Sequence, residues 1–113
     1  MPFPPKNLSP NRAQGCSWKT LYTTKSKYRE VCFYEAKQQL NGWKPNEETI
    51  GLTLTFRMPD RRHRDFDNCL ASCKGLLDGV ADALGVNDKR FEPILLKRGE
   101  VLKGGSVIVE IDQ

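Results

Sequence analysis

The chain has 113 residues, 38% of them hydrophobic with five Phe, three Tyr and two Trp, which suits one domain with one core and excludes a wholly disordered chain. Its mean hydropathy of −0.58 and the lack of any run near the ~18 apolar residues that span a bilayer exclude an integral membrane protein. The net charge of +4 averages an uneven layout: residues 1–46 carry eight basic and two acidic groups, residues 47–113 ten basic and twelve acidic.

The opening MPFPPKNLSPN holds four prolines and reads as an extended or turn-rich surface lead-in. Met1 to Pro5 has no basic residue followed by an apolar run, so it is not a secretory signal, and the chain reads as intracellular. A helix is predicted from Trp18 to Leu40, with Tyr28, Val31, Cys32, Ala36 and Leu40 near one stripe. Ser17, Thr23, Thr24 or Ser26 could cap its start and Asn41-Gly42 its end. Thr49 to Arg57 alternates strictly and predicts a half-buried strand with Ile50, Leu52, Leu54 and Phe56 inward. After a charged loop opening at Met58-Pro59, a second helix is predicted from about Asp67 to Leu84, its core stripe being Leu70, Cys73, Leu77, Val80 and Leu84, with Gly85 as its stop. Phe91 to Lys97 and Ser106 to Ile111 read as two strands joined by a turn rich in glycine. The order helix, strand, helix, strand, strand predicts a single α+β domain, a sheet covered by two main helices.

Four cysteines are present. Cys69 and Cys73 share one side of the second helix, and Cys16 and Cys32 lie far from them in sequence. Zinc would want a C-x2-C pair or a Cys/His cluster, whereas the chain has one histidine, His63, so packed free thiols are expected.

The unusual cluster is Asp65-Phe66-Asp67-Asn68 at the mouth of the second helix, with Lys74 inside it and Asn87-Asp88 past its end. On a continuous helix Asp67 and Lys74 lie about 20° from alignment and some 10 Å apart along the axis, and Asp78 extends that exposed ridge. An ordinary structural explanation exists for each residue alone: an aspartate caps a helix start, and Lys74 with Asp78 is an i,i+4 pair. The combination asks for more. Two carboxylates one residue apart, ringed by Arg57, Arg61, Arg62 and Arg64, repel unless a cation joins them, and hard oxygen ligands select Mg²⁺ or Mn²⁺. Arginines beside such a site suit phosphate.

The run MPDRRHRDFDN, followed by Lys74 and then Asp88, resembles the RusA-type Holliday junction resolvases of phages and prophages, as does the proline-rich opening PFPPKNLSPNR, so the resemblance covers most of the chain. It implies a RusA-like mixed sheet over residues 1–113 and a homodimeric, Mg²⁺-dependent crossover junction endodeoxyribonuclease. Such an enzyme nicks a four-way DNA junction symmetrically in recombination and repair, in the cytoplasm of the bacterial host. By the resemblance Asp65, Asp67 and Asp88 are metal ligands and Lys74 is the catalytic lysine; no organic cofactor and no membrane are involved. In the best known member the lysine stands four positions after the second aspartate, where this chain has Ala71, and the second acid common at the helix exit is here Asn87.

On this reading Arg57, Arg61, Arg62 and Arg64 grip phosphates at the cut, and Lys25, Lys27, Arg29, Lys37, Lys97, Arg98 and Lys103 touch the junction arms, with His63 a loop residue near DNA. One site cannot make two paired cuts, so the small size points to a dimer, with Phe3, Trp18, Trp43 and Phe91 as candidate interface residues. The alternatives are a nucleic-acid-binding module without catalysis and a small nucleotide hydrolase, which would not need the arginine collar.

Overall fold

The computed structural model describes residues 1–8, 15, 17–46 and 48–112. Residues 9–11 of the lead-in and Cys16 lie outside the described residues. Helix α1 spans Trp18–Leu40. Ser17 is its cap, accepting a hydrogen bond from the Thr20 amide at 3.3 Å, while the Thr23 and Thr24 hydroxyls bond back to the carbonyls of Lys19 and Thr20. Asn41 at φ 49 and Gly42 at φ 86 end it in the left-handed region, as expected of that pair. Tyr28, Cys32 and Ala36 are buried on its inner face. Val31 is 49% exposed, a correction to the predicted stripe, because one residue from Cys32 is a turn of about 100°.

Strand β1, Ile50–Arg57, buries Ile50, Leu52, Leu54 and Phe56 completely, each side chain contributing about 1.5–3 kcal/mol. It is the middle strand of three, in the order β2-β1-β3. Strand β2, Phe91–Arg98, runs parallel to it, with Leu54 opposite Leu96 and Phe56 opposite Arg98. Strand β3, Ser106–Asp112, runs antiparallel on the other side, with Leu54 opposite Val109. The glycine-rich connection therefore does not close a hairpin: it carries the chain across the end of β1. A parallel neighbour requires a crossover, and the helical segment between β1 and β2 supplies it. The result is a single α+β domain with a mixed sheet and a radius of gyration of 13.9 Å.

The predicted second helix is two: α2, Phe66–Ser72, and α3, Lys74–Leu84, separated at Cys73 (φ −92, ψ 9). The Ser72 hydroxyl donates to the Asn68 carbonyl at 2.8 Å, a back-bond that bends helices. Beyond the break α3 lies tightly on α1. A Cβ on Gly75 would sit 3.2 Å from the Tyr28 ring, and one on Gly79 would sit 2.6 Å from the Arg29 carbonyl oxygen. The two glycines, one helical turn apart, let the backbones approach. Arg29 fastens the crossing with two bonds to Asp82, at 2.7 and 2.8 Å. Gly85 ends α3 at φ 72, and the Lys44 ammonium donates to the Leu84 carbonyl at 3.0 Å.

The lead-in is not mere surface. Met1 exchanges backbone hydrogen bonds with Val107, and Pro2 bridges to Ser106. The buried Tyr28 hydroxyl donates to the Pro2 carbonyl at 2.8 Å. Phe3 packs edge-on against Phe56, with centroids 6.4 Å apart, and Pro4 and Leu8 are buried. Phe91 lies within the core and is not free for the interface proposed for it, whereas Phe3 packs on the core and stays half-buried. Trp18, at 72% exposure, and Trp43, at 42%, remain on the surface. Cys32, Cys69 and Cys73 are buried free thiols. No described helix is long and apolar enough to cross a membrane.

Candidate active site

Lys74 opens α3, immediately after the break. Its ammonium donates to the Asp78 carboxylate one turn on, at 3.1 Å, and to Asp88. Asp88 begins a short 3-10 turn, Asp88–Arg90, whose cap is Asn87: its side chain accepts from the Lys89 amide at 2.9 Å. Asn87 therefore shapes the turn that presents Asp88. The hydrogen bond from Lys74 holds the Asp88 carboxyl below its ordinary range, and the same bond raises Lys74. The i,i+4 pair read from the sequence is present, and the fold adds a partner fourteen residues away.

Asp65 stands at the cap position of α2 with an extended backbone (φ −76, ψ 141), but its side chain makes no capping bond. It pairs instead with His63, Nε2 to Oδ1 at 2.9 Å. Asp67 is exposed in the first turn. The capping explanation thus fails for Asp65. These acids have the hard oxygen donors that magnesium takes, yet no group of three or more His, Cys, Asp or Glu side chains able to hold a metal is gathered among the described residues. Lys74 and Asp88 come together, and Asp65, Asp67 and Asp88 do not converge as one set of three.

The arginine collar is partly tied to itself. Asp60 receives Arg64 through both its oxygens, at 2.7 and 3.2 Å, and also the Arg62 amide at 2.9 Å and guanidinium at 3.2 Å. The Arg64 and Arg62 bonds hold the Asp60 carboxyl far below the usual carboxylate range. Arg98 lies over the Phe66 ring, 4.4 Å from its centroid, and donates to the Arg64 carbonyl at 2.6 Å. Arg62, Arg64 and Arg98 therefore shape the loop, whereas Arg61 is exposed and Arg57 is half-buried. Lys25, Lys27, Lys97 and Lys103 are exposed, Arg29 serves the helix crossing, and Lys37 covers the Phe33 ring at 5.4 Å. Asp60 is the residue that sequence reasoning missed; its signal was the turn-forming Pro59-Asp60 pair.

The fold and site define a small α+β protein with a Lys74–Asp78–Asp88 cluster and an arginine-bearing loop anchored by Asp60. No protein-family model matches the chain. It is similar to a protein of Xylella fastidiosa (strain Temecula1 / ATCC 700964) described as an uncharacterized protein, 35% identical over 117 residues covering 98% of this chain and 72% of the relative. The chain belongs to the same family as that protein.

Proposed function

We propose that this chain is a RusA-type, magnesium-dependent endodeoxyribonuclease that resolves four-way DNA junctions by paired nicks, acting as a homodimer in the bacterial cytoplasm during recombination and repair. The observation that carries the reading is the contact between Lys74 and Asp88. These are the lysine and the distant acid singled out by the motif order, and the fold brings them together across fourteen residues. Asp65 supports it as a carboxylate without a capping duty. Lys74 offers an ammonium to a phosphate oxygen as charge builds there. Arg61 and Arg57 hold the flanking phosphates, while Asp60 fixes the loop that carries Arg62 and Arg64. Asp88 is engaged by Lys74 and Asp65 by His63 through one oxygen, so Asp67 and the second oxygen of Asp65 are the donors open to a cation. Bound magnesium supplies a Lewis acid for the phosphodiester.

The test is cleavage of a synthetic four-way junction with Mg²⁺ or EDTA, with linear duplex as control. Wild-type protein nicks the junction only with Mg²⁺, and Asp67→Asn abolishes nicking with binding largely kept. Unchanged nicking by that variant refutes the assignment. The non-catalytic alternative is favoured by one observation, the absence of a gathered three-acid set among the described residues; junction binding without any Mg²⁺-dependent nicking would establish it.

A further inference from the structure

A cavity of about 420 Å³ opens between the N-terminal arm and the loop that leads into α2. One wall is apolar and stiff: Phe3, Pro4 and Pro5 from the arm, and Pro59 from the loop. Prolines have little rotamer freedom to lose on binding, and the arm is pinned by the Met1–Val107 bonds, the Tyr28 bond to Pro2 and the Phe3–Phe56 contact. Gly105 closes over Phe3 so tightly that a Cβ there would meet it at 2.9 Å. The wall is thus formed before any ligand arrives. The lining also carries Lys6, Arg62 and Arg64, the arginines oriented by Asp60, together with the Asp65 carboxylate bonded to His63. Asn68 lines the cavity too, and its side-chain amide forms no hydrogen bond with the described residues. An amide offers a donor and an acceptor side by side.

An apolar wall, one amide and arginine side chains match the three parts of a nucleotide: a ring with a stacking face, a polar ring edge and a phosphate. The volume falls in the range of pockets that enclose one small ligand and is too small for a base pair. The geometry points to a pocket for a single unstacked nucleotide, which enters from a DNA strand where pairing is broken. The ring lies against Phe3 and the prolines, its edge meets Asn68, and its phosphate meets Arg62. This inference rests on the proposed DNA-cleaving reading and names the feature of the branched substrate that the site grips.

The experiment measures binding by fluorescence anisotropy, without divalent cation, to a labelled duplex carrying one unpaired nucleotide and to the same duplex fully paired. Wild-type protein is expected to prefer the first by about tenfold or more, the scale of one base stacked on an aromatic wall. Asn68→Leu keeps the side-chain shape and removes the amide; it is expected to lose most of that preference while keeping its affinity for the paired duplex and its melting temperature. Phe3→Ala should lose the preference too, but it also touches the core, so Asn68→Leu decides. Equal affinity of wild type for the two duplexes overturns the inference, as does an unaltered preference in Asn68→Leu or equally tight binding of a free deoxynucleoside monophosphate. Loss of junction nicking with the unpaired-nucleotide preference intact would count against the nuclease reading alone. Nicking without the preference would count against the pocket alone.

Discussion

Gly79 stands against the backbone of Arg29 so closely that a methyl group in place of its hydrogen would lie 2.6 Å from the Arg29 carbonyl oxygen and 2.9 Å from the Phe33 nitrogen. Neither atom belongs to a flexible side chain. Gly79→Ala must therefore push α3 off α1, at a cost of about 1–3 kcal/mol or more for overpacking. Gly75→Ala meets chiefly the edge of the Tyr28 ring at 3.2 Å and should cost less. Urea denaturation of the two variants checks the order, and an unchanged midpoint for Gly79→Ala would contradict the packing described.

Asp82 is held below its ordinary carboxylate range by its hydrogen bond from Arg29. Between the folded value and the unfolded value of about 3.9, the unfolded chain binds more protons, so stability falls as pH falls. The contribution is present above the unfolded value and lost as pH drops through the folded one. For a pair this exposed it is about 0.2–1 kcal/mol. Asp82→Asn should lower stability at pH 7 and flatten its pH dependence below about pH 4, as read from denaturation midpoints across pH 2–7.

Lys74→Ala should reduce junction nicking by about 100-fold or more, the scale of removing one donor that meets developing charge, while junction affinity in EDTA changes by only a few-fold. Single-turnover kinetics separate the two quantities. Parallel losses of nicking and affinity would make Lys74 a binding residue only.

Arg61 and Arg64 are adjacent in kind and different in duty. Arg61→Ala should lower the slope of log affinity against log salt by about 0.9 on duplex DNA and leave thermal stability unchanged. Arg64→Ala breaks the paired bonds to Asp60 and should lower the melting temperature as well. A salt titration and a melt on each variant check this.

Burial raises the thiols of Cys69 and Cys73, and pushes that of Cys32 up to about 11. Thiolates are the reactive form, so a Cys16→Ser variant should show no rapid thiol labelling by an aromatic disulfide reagent at pH 8 until it is unfolded. A fast-reacting thiol in that native variant would contradict the burial.

Much of the frame was legible because it rests on local rules. Strand β1 announces itself by alternation, since its large residues are needed on one face, and α1 is bounded by Ser17 and by Asn41-Gly42, whose backbone preferences are intrinsic. What was hidden depends on distant partners. The break at Cys73 follows from a hydroxyl back-bond and from the demand that Gly75 and Gly79 meet α1, and neither disturbs the apolar stripe. The position of β3 across β1 from β2 is set by pairing, which spacing does not encode. In the site, Lys74 with Asp78 was readable as i,i+4, whereas Asp60 as the anchor of two arginines required the fold of its turn.

The bonds that join Met1 to Val107 span 106 residues of sequence. During synthesis the arm is made 106 residues before its partner, so the edge of β3 can be sealed and Phe3 seated only once Val107 has emerged from the ribosome. Long-range closure of this kind slows folding. Until then the proline-rich arm and the open side of β1 are accessible to other molecules, and this long-range seam is where a nascent chain would be open to chaperones and proteases.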